Sequence, residues 1–202
     1  MIVETNSINA IDAQECHYSE CVFQTKPGAP LGRCCMNLSK NDSGFILNTP
    51  ESKDGADFWY GKVTSPTIVD IAIQIVKLAR RLNIPISKLV ATKDDISKAH
   101  NQQKYSITDA KHSCCEIAGT GLTIVYTRCL FGDNLSNGVF DVVARGVDSN
   151  IHTSMVKESI DGVNIRYVDD TNTFSTETDI SSLQAIIRGW WSDKYEKTSK
   201  YD

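Results

Sequence analysis

The sequence lacks any apolar run of the length needed to cross a membrane. Such spans need about 18 or more consecutive apolar residues. The longest apolar stretch, residues 68–82, is interrupted by five polar or charged residues: Asp70, Gln74, Lys77, Arg80 and Arg81. Residues 1–13 also lack the basic start and apolar centre of a secretory signal. We therefore expect a protein without a secretory signal and without a membrane partner.

Paired cysteine motifs are missing as well. The chain has seven cysteines, an odd number that cannot close into a complete set of disulfides, and no two of them form a Cys-x2-Cys pair. An odd count without an export signal is typical of reduced thiols in a reducing compartment. These features predict free thiols and a cytoplasmic location.

Length and composition predict one globular domain. The chain has 202 residues, of which 41% are hydrophobic and 23% charged. Such a chain can bury a sizeable core without disulfides or metal ions to stabilise it. Strands and helices are segregated along it, which favours an α+β fold: an antiparallel β-meander packed against two or three helices, with an irregular cysteine-rich N-terminal lobe. The predicted segments are the lobe (1–64), a helical segment (65–105), the β-meander (106–176) and a C-terminal helix (177–195).

The clearest helix pattern begins at Ser65, the predicted N-cap, with Pro66 at the first helical position. Pro85 should end this helix near Leu82. Its predicted core stripe repeats at spacings of three and four: Ile68, Ile71, Ala72, Ile75, Leu78, Ala79 and Leu82. Thr92, with a capping-box-like acid three positions later, predicts a further helix over residues 92–104.

From residue 122 the hydrophobic period changes from 3.6 to 2, which is typical of strands. Four strands are predicted, over residues 122–131, 139–147, 151–158 and 163–168, and turn-forming residues separate them. A last amphipathic helix is predicted over residues 180–191. Neighbouring residues lie about 100° apart on a helix, so we expect Trp190 to pack on the sheet. Trp191 should then be partly exposed and available to a partner.

The N-terminal lobe offers one candidate metal site. Soft ligands of the Cys3His kind could hold a structural zinc ion, and they are Cys16, His17, Cys21 and Cys34. Buried or partly exposed free thiols, without a cofactor, are the alternative, since thiols also pack as small hydrophobes.

The triplet His152-Thr153-Ser154 lies in a predicted strand, where period-two geometry places His152 and Ser154 on one face. It resembles half of the His-x-Ser/Thr signature of the 2H phosphoesterase family. In that family two such motifs face each other across a cleft, and the histidines act as acid and base. The resemblance implies a catalytic role for His152 and Ser154. A second copy of the motif is missing from this sequence.

The spacing Ala79-x3-Asn83-x5-Leu89 fits a helix-turn-helix over residues 78–93. Residues 65–105 hold seven Lys or Arg and three Asp, a local charge of +4, whereas the rest of the chain carries −8. A basic face of this kind can contact phosphates, which makes Lys88 and Lys93 candidate partner-binding residues.

No motif fixes a chemistry, and the sequence leaves open whether the protein is an enzyme. The first hypothesis is a noncatalytic intracellular binding or accessory protein that acts on another macromolecule, a protein being favoured over nucleic acid. The second is a small His-dependent hydrolase or phosphodiesterase with His152 as proton carrier. The third is a helix-turn-helix nucleic-acid binder.

Overall fold

A computed structural model describes residues 18–24, 33–39, 46–96, 99–117, 122–130 and 132–192. The chain divides into two compact units, each made of two segments. Unit 1 comprises Met1–Lys62 and His100–Val139, and unit 2 comprises Val63–Ala99 and Phe140–Asp202. A single domain over the whole chain stays a prediction, and its test is one cooperative unfolding transition.

Unit 1 contains two small antiparallel strand pairs. Its strands are β1 (Glu20–Gln24), β2 (Arg33–Asn37), β4 (Cys114–Ile117) and β5 (Leu122–Val125), and its helices are α1 (Pro50–Tyr60) and α3 (Ile107–Ala110). Strand β1 pairs with β2, and β4 pairs with β5. Ala110, Cys114 and Val125 form a small buried cluster against which Tyr18 and Tyr105 pack.

Helix α1 begins with a reciprocal cap. The Thr49 side chain accepts from the Ser52 backbone N–H, and the Ser52 hydroxyl oxygen accepts from the Thr49 N–H, so two helix-end donors are satisfied. Asn134 donates to Ser52 Oγ at 3.1 Å. A Cβ at Gly138 would lie 2.9 Å from Tyr60 Cβ. Glycine at this position therefore allows α1 its close approach.

Unit 2 is built on a three-stranded antiparallel sheet. Its strands are β3 (Val90–Asp95), β6 (Gly162–Tyr167) and β7 (Asp170–Ser175), in the order β3-β7-β6. Its helices are α2 (Ile68–Leu82) and α5 (Ile180–Ser192), together with residues 140–157 of α4 (Asn134–Lys157).

The core of unit 2 lies between α4 and α5. Trp191 is fully buried and stacks on Phe140, with ring centroids 6.3 Å apart. The other buried members of this cluster are Ile96, Ala99, Ala144, Val147, Ile151, Met155, Leu183 and Ile187. Burial on this scale is the main source of stability in a unit of this size.

The predicted α+β class is confirmed, with antiparallel sheets and five α-helices in the described part of the chain. Two of the four predicted meander strands, over residues 139–147 and 151–158, are wrong, because α4 covers residues 134–157. The β-branched residues and the Asn137-Gly138 pair favoured strands and a turn. The buried positions instead recur at helical spacing: Phe140, Ala144, Val147, Ile151 and Met155.

The helix predicted from Thr92 is also wrong. Residues 90–95 form β3, because they pair along their full length with β7, and Thr92 lies opposite Thr173. Tertiary pairing here overrides a local capping signal. No helix among the described residues is long and apolar enough to cross a membrane.

Candidate functional site

Four of the seven exposed large apolar residues that the structure describes in unit 2 lie on α2 and the turn that follows it. Ile68 is 83% exposed, Val69 61%, Ile73 45% and Ile86 51%. We call this region the α2 surface, and its members are Ile68, Val69, Ala72, Ile73, Val76, Ile84, Pro85 and Ile86.

The α2 surface exists because α2 is apolar around more than half of its circumference. At about 100° per residue, its apolar residues cover an arc of roughly 220°, whereas a surface helix needs an apolar stripe only a little over 100° wide. Leu78 and Ala79 are buried. Ile68 and Ala72, which the sequence places in the core stripe, are exposed. The core of unit 2 therefore covers one side of the apolar arc and leaves the other open.

A groove of about 530 Å³ continues this surface beyond the helix end. Its lining residues are Val76, Ala79, Arg80, Asn83, Ile84, Pro85 and Ile86. Asn83 adopts the left-handed conformation, with φ 54°, and ends the helix. The Ile84 N–H then donates to the Ala79 carbonyl at 3.0 Å. This cap and the fixed φ of Pro85 restrict the backbone conformation of the groove wall.

Three cations adjoin the α2 surface, two on α2 itself and one in the turn that follows. Lys77, Arg80 and Lys88 are all exposed, and within the residues that the structure describes none of the three forms an ion pair. Arg81 is engaged differently, since its Nη2 lies 3.2 Å from Asp161 Oδ1. The nearest acid on the helix, Asp70, accepts hydrogen bonds from Thr67 as part of the N-terminal capping box. The rim of the surface is therefore positive.

A second exposed apolar feature lies on α1 in unit 1. Phe58 and Trp59 are 79% and 77% exposed, and their rings meet edge to face with centroids 5.2 Å apart. The pair comprises only two side chains, whereas the α2 surface has eight members and a groove that continues it. The α2 surface is therefore the stronger candidate for binding.

Arg166 forms the most buried ion-pair network of unit 2. Its Nη2 donates to Asp141 Oδ1 and its Nε to Asp148 Oδ2, both at 2.8 Å, and its Nη1 donates to the Val168 carbonyl at 3.2 Å. Burial raises the pKa of Asp148, and the hydrogen bond and charge of Arg166 oppose that rise. Every guanidinium nitrogen is thus engaged within the fold. The network ties β6 to α4, which is a structural role.

Unit 1 has a buried polar cluster at the start of α4. Tyr105 Oη and Ser136 Oγ donate to Asp133 Oδ2 at 2.7 and 3.0 Å, and the Leu135 N–H donates to Asp133 Oδ1 at 3.0 Å. Burial and the Asp133 charge raise the pKa of Tyr105, and burial raises the pKa of the Cys129 thiol. A neutral, buried thiol is a poor nucleophile. Asp133 instead caps the first turn of α4.

The prediction that His152 and Ser154 share one face of a strand is wrong, because both residues lie in the helix α4. Residues two apart on a helix point about 200° apart. His152 is exposed, whereas Ser154 Oγ accepts a hydrogen bond from Trp190 Nε1 at 3.0 Å. The two side chains therefore do not share a face.

The three residues predicted to bind a partner have different surroundings. Trp191 is fully buried, so its predicted exposure is wrong, and the half-buried residue is Trp190. The reason is the position of the stripe: Ile180, Leu183, Ile187 and Trp191 are the buried residues of α5. Lys93 lies 2.7 Å from Asp170 Oδ2 in a salt bridge. Lys88 is exposed at the rim of the α2 surface.

The predicted helix-turn-helix over residues 78–93 is only half present. Residues 86–88 form a single 3-10 turn, and β3 follows directly. The second helix that would enter a DNA groove is missing from this segment.

The candidate zinc ligands are only partly within the described residues. Cys16 and His17 lie outside them. Cys21 pairs in register with Met36, and Cys34 pairs with Phe23. The described part of the chain holds no cluster of three or more His, Cys, Asp or Glu residues able to bind a metal ion.

Sequence reasoning missed Val69 and Ile73, although a signal for them was present. They lie four positions apart and Val76 follows at three, which forms a second apolar stripe beside the predicted one. The sequence matches no known family model, and a search of curated proteins found no match.

Proposed function

We propose that the protein is a binding protein that captures a protein partner on the α2 surface. The observation that carries this proposal is the exposed half of the apolar arc of α2, continued by the preformed groove over residues 83–86. Contiguous exposed apolar surface beside polar residues is typical of protein interaction sites. Placement of His152 and Ser154 on different sides of α4 removes the support for the phosphodiesterase alternative.

The location that accompanies this function is a reducing cytoplasm. The odd cysteine count supports it. Cys114, Cys115 and Cys129 are buried in the fold, where they pack as small apolar side chains.

The experiment measures binding of amphipathic helical peptides to the full chain. A helix laid on an apolar groove contributes anchors at i, i+3, i+4 and i+7. An 18-residue peptide with this apolar stripe and glutamine elsewhere is titrated, with fluorescence anisotropy giving Kd and amide NMR locating the contact. We expect micromolar binding, with the largest shifts in residues 68–88.

A matched pair of variants tests the position of the site. Val69→Ser with Ile73→Ser should weaken binding at least tenfold. The control is Val142→Ser with Val156→Ser, two valines of α4 that are also exposed, and it should leave Kd unchanged. Equal loss in both variants, or no binding by any amphipathic peptide at millimolar concentration, would reject the proposed function.

A further inference from the structure

The unpaired charged side chains beside the α2 surface are all positive. This sign indicates the chemistry of the partner in the proposed function, on which the inference rests. Lys77, Arg80 and Lys88 adjoin the apolar residues, and the described residues offer them no acidic partner. Unpaired like charges around one site repel each other. A partner that carries acids at the matching positions would relieve that repulsion and gain attraction.

The shape of the surface favours a helix as the occupant. Helix α2 has 15 residues, so at 1.5 Å per residue it is roughly 22 Å long, and the groove extends it. A partner helix of about four turns has that length. Its apolar face would cover Val69, Ile73 and Val76, and its acids would reach the neighbouring cations Lys77, Arg80 and Lys88.

The same features weigh against a nucleic acid as the occupant. A phosphate backbone binds to cations, and apolar side chains beside those cations contribute nothing to its binding. Helix α2 places Val69, Ile73 and Val76 where a phosphate-binding helix would carry polar or basic side chains. Apolar and cationic groups side by side match an amphipathic acidic segment.

We infer that the α2 surface binds an acidic amphipathic helix of a partner protein, with apolar anchors on Val69, Ile73 and Val76 and acidic side chains on Lys77, Arg80 and Lys88.

The test uses the full chain and three labelled 18-residue peptides. All share one apolar stripe and carry either Glu, Gln or Lys at the same polar positions. We expect the Glu peptide to bind at least tenfold more tightly than the Gln peptide and the Lys peptide to bind more weakly than both. Because exposed charges are screened, the advantage of the Glu peptide should shrink between 50 and 500 mM salt.

Charge reversal gives the matched control. The variant Lys77→Glu, Arg80→Glu, Lys88→Glu should prefer the Lys peptide to the Glu peptide. The control variant Lys53→Glu, Lys62→Glu, Lys157→Glu makes the same change of net charge at exposed positions outside α2 and the turn that follows it. It should keep the preference for the Glu peptide.

Three outcomes would overturn the inference. Equal binding of all three peptides would leave the proposed function intact but remove the acidic partner. A dimer of the protein alone that sedimentation detects and Ile73→Ser dissolves would make a second copy the occupant. Binding of a 20-base-pair DNA duplex or a single-stranded RNA as tightly as the Glu peptide, lost in the Lys77/Arg80/Lys88 variant, would make the site a polyanion site. Failure of every peptide to bind rejects the proposed function as well.

Discussion

Helices α2 and α5 belong to the same unit and have similar lengths, yet they use their apolar residues differently. In α5 the large apolar residues lie within roughly 140° of the helix circumference, and four of them are buried. In α2 the apolar arc is wider, and only Leu78 and Ala79 are buried. The exposed remainder includes Ile68 and Val69.

The difference shows that the apolar content of a helix does not by itself tell which of its residues belong to the buried core. Helix α5 has as much apolar surface as its packing against α4 and β7 requires. Helix α2 has more than its own fold covers. Single exposed apolar residues are normal on a protein surface, but a contiguous apolar patch in water is typical of a contact outside the fold. The predictions below test this distinction between the two helices.

The largest effect is expected from Trp191→Ala in α5. Removal of this buried indole from its stack on Phe140 leaves a cavity, and large-to-small changes of this kind cost about 3–5 kcal/mol. Chemical denaturation measures the free energy of unfolding. Trp190→Ala is the control and should cost less, because Trp190 is half-buried. A loss below about 1 kcal/mol for Trp191→Ala would mean that the apolar side of α5 contributes as little to stability as we expect from the exposed side of α2.

A smaller loss is expected from Gly162→Ala, which tests how closely α5 fits the sheet. An added Cβ would overlap Leu183 Cδ2 and approach the Phe174 carbonyl oxygen at 3.1 Å. Leu183 is fully buried, so it has no open space to move into, and overpacking of this kind costs about 1–3 kcal/mol. Gly146→Ala on α4, where a Cβ meets nothing within 4 Å, is the control and should not destabilise the fold. Equal stability of the two variants would contradict a tight fit under α5.

An increase in the free energy of unfolding is expected from Val168→Asn in the β6–β7 hairpin. Val168 has φ 55°, a conformation that β-branched residues rarely adopt and that asparagine tolerates. Relief of this strain should stabilise unit 2 by about 1 kcal/mol, measured by thermal and chemical unfolding. Asp169→Asn, at the neighbouring position without a positive φ, should give no gain. The stabilised chain is also a background in which variants of α2 and α5 can be compared.

The smallest effect on stability is expected from Ile73→Ser on α2. The side chain is 45% exposed, and surface changes of this kind usually stay within about 0.5 kcal/mol. Leu78→Ala on the same helix, where the side chain is 1% exposed, should cost about 2–5 kcal/mol. A loss of similar size for Ile73→Ser would assign the exposed side of α2 to folding, and the binding proposal would fail with it.

Sequence patterns located the elements whose signals are local. The end of α2 near Leu82 followed from Pro85, but its N-cap is Thr67, whose side chain pairs with Asp70 in a capping box, and the predicted N-cap Ser65 is wrong. The C-terminal helix and β6 lie within one residue of their predicted bounds. Strand β7 was missed because its buried face carries small hydroxyl residues, Thr171, Thr173 and Ser175. Only pairing with β3 and β6 makes that segment a strand.

The candidate site could be predicted only in part. The excess of positive charge over residues 65–105 pointed to this region, and Lys88 lies on the rim of the α2 surface. The exposure of Ile68 and Ile73 could not be predicted, because a sequence shows that a helix side is apolar but not whether anything covers it. The core of unit 2 decides that, and its main members come from residues 96–191.

The pairing of β3 with β7 has a consequence for how the chain folds while the ribosome synthesises it. Val90 pairs with Ser175 and Asp95 with Asp170, so about 75 to 85 further residues must be synthesised before the pair can close, and such distant contacts form slowly. At roughly 5–20 residues per second, translation takes several seconds over that interval. Throughout it, the nascent chain exposes residues 90–95 without their partner strand, next to the apolar α2, and exposed apolar surface beside an unpaired strand edge is prone to aggregate.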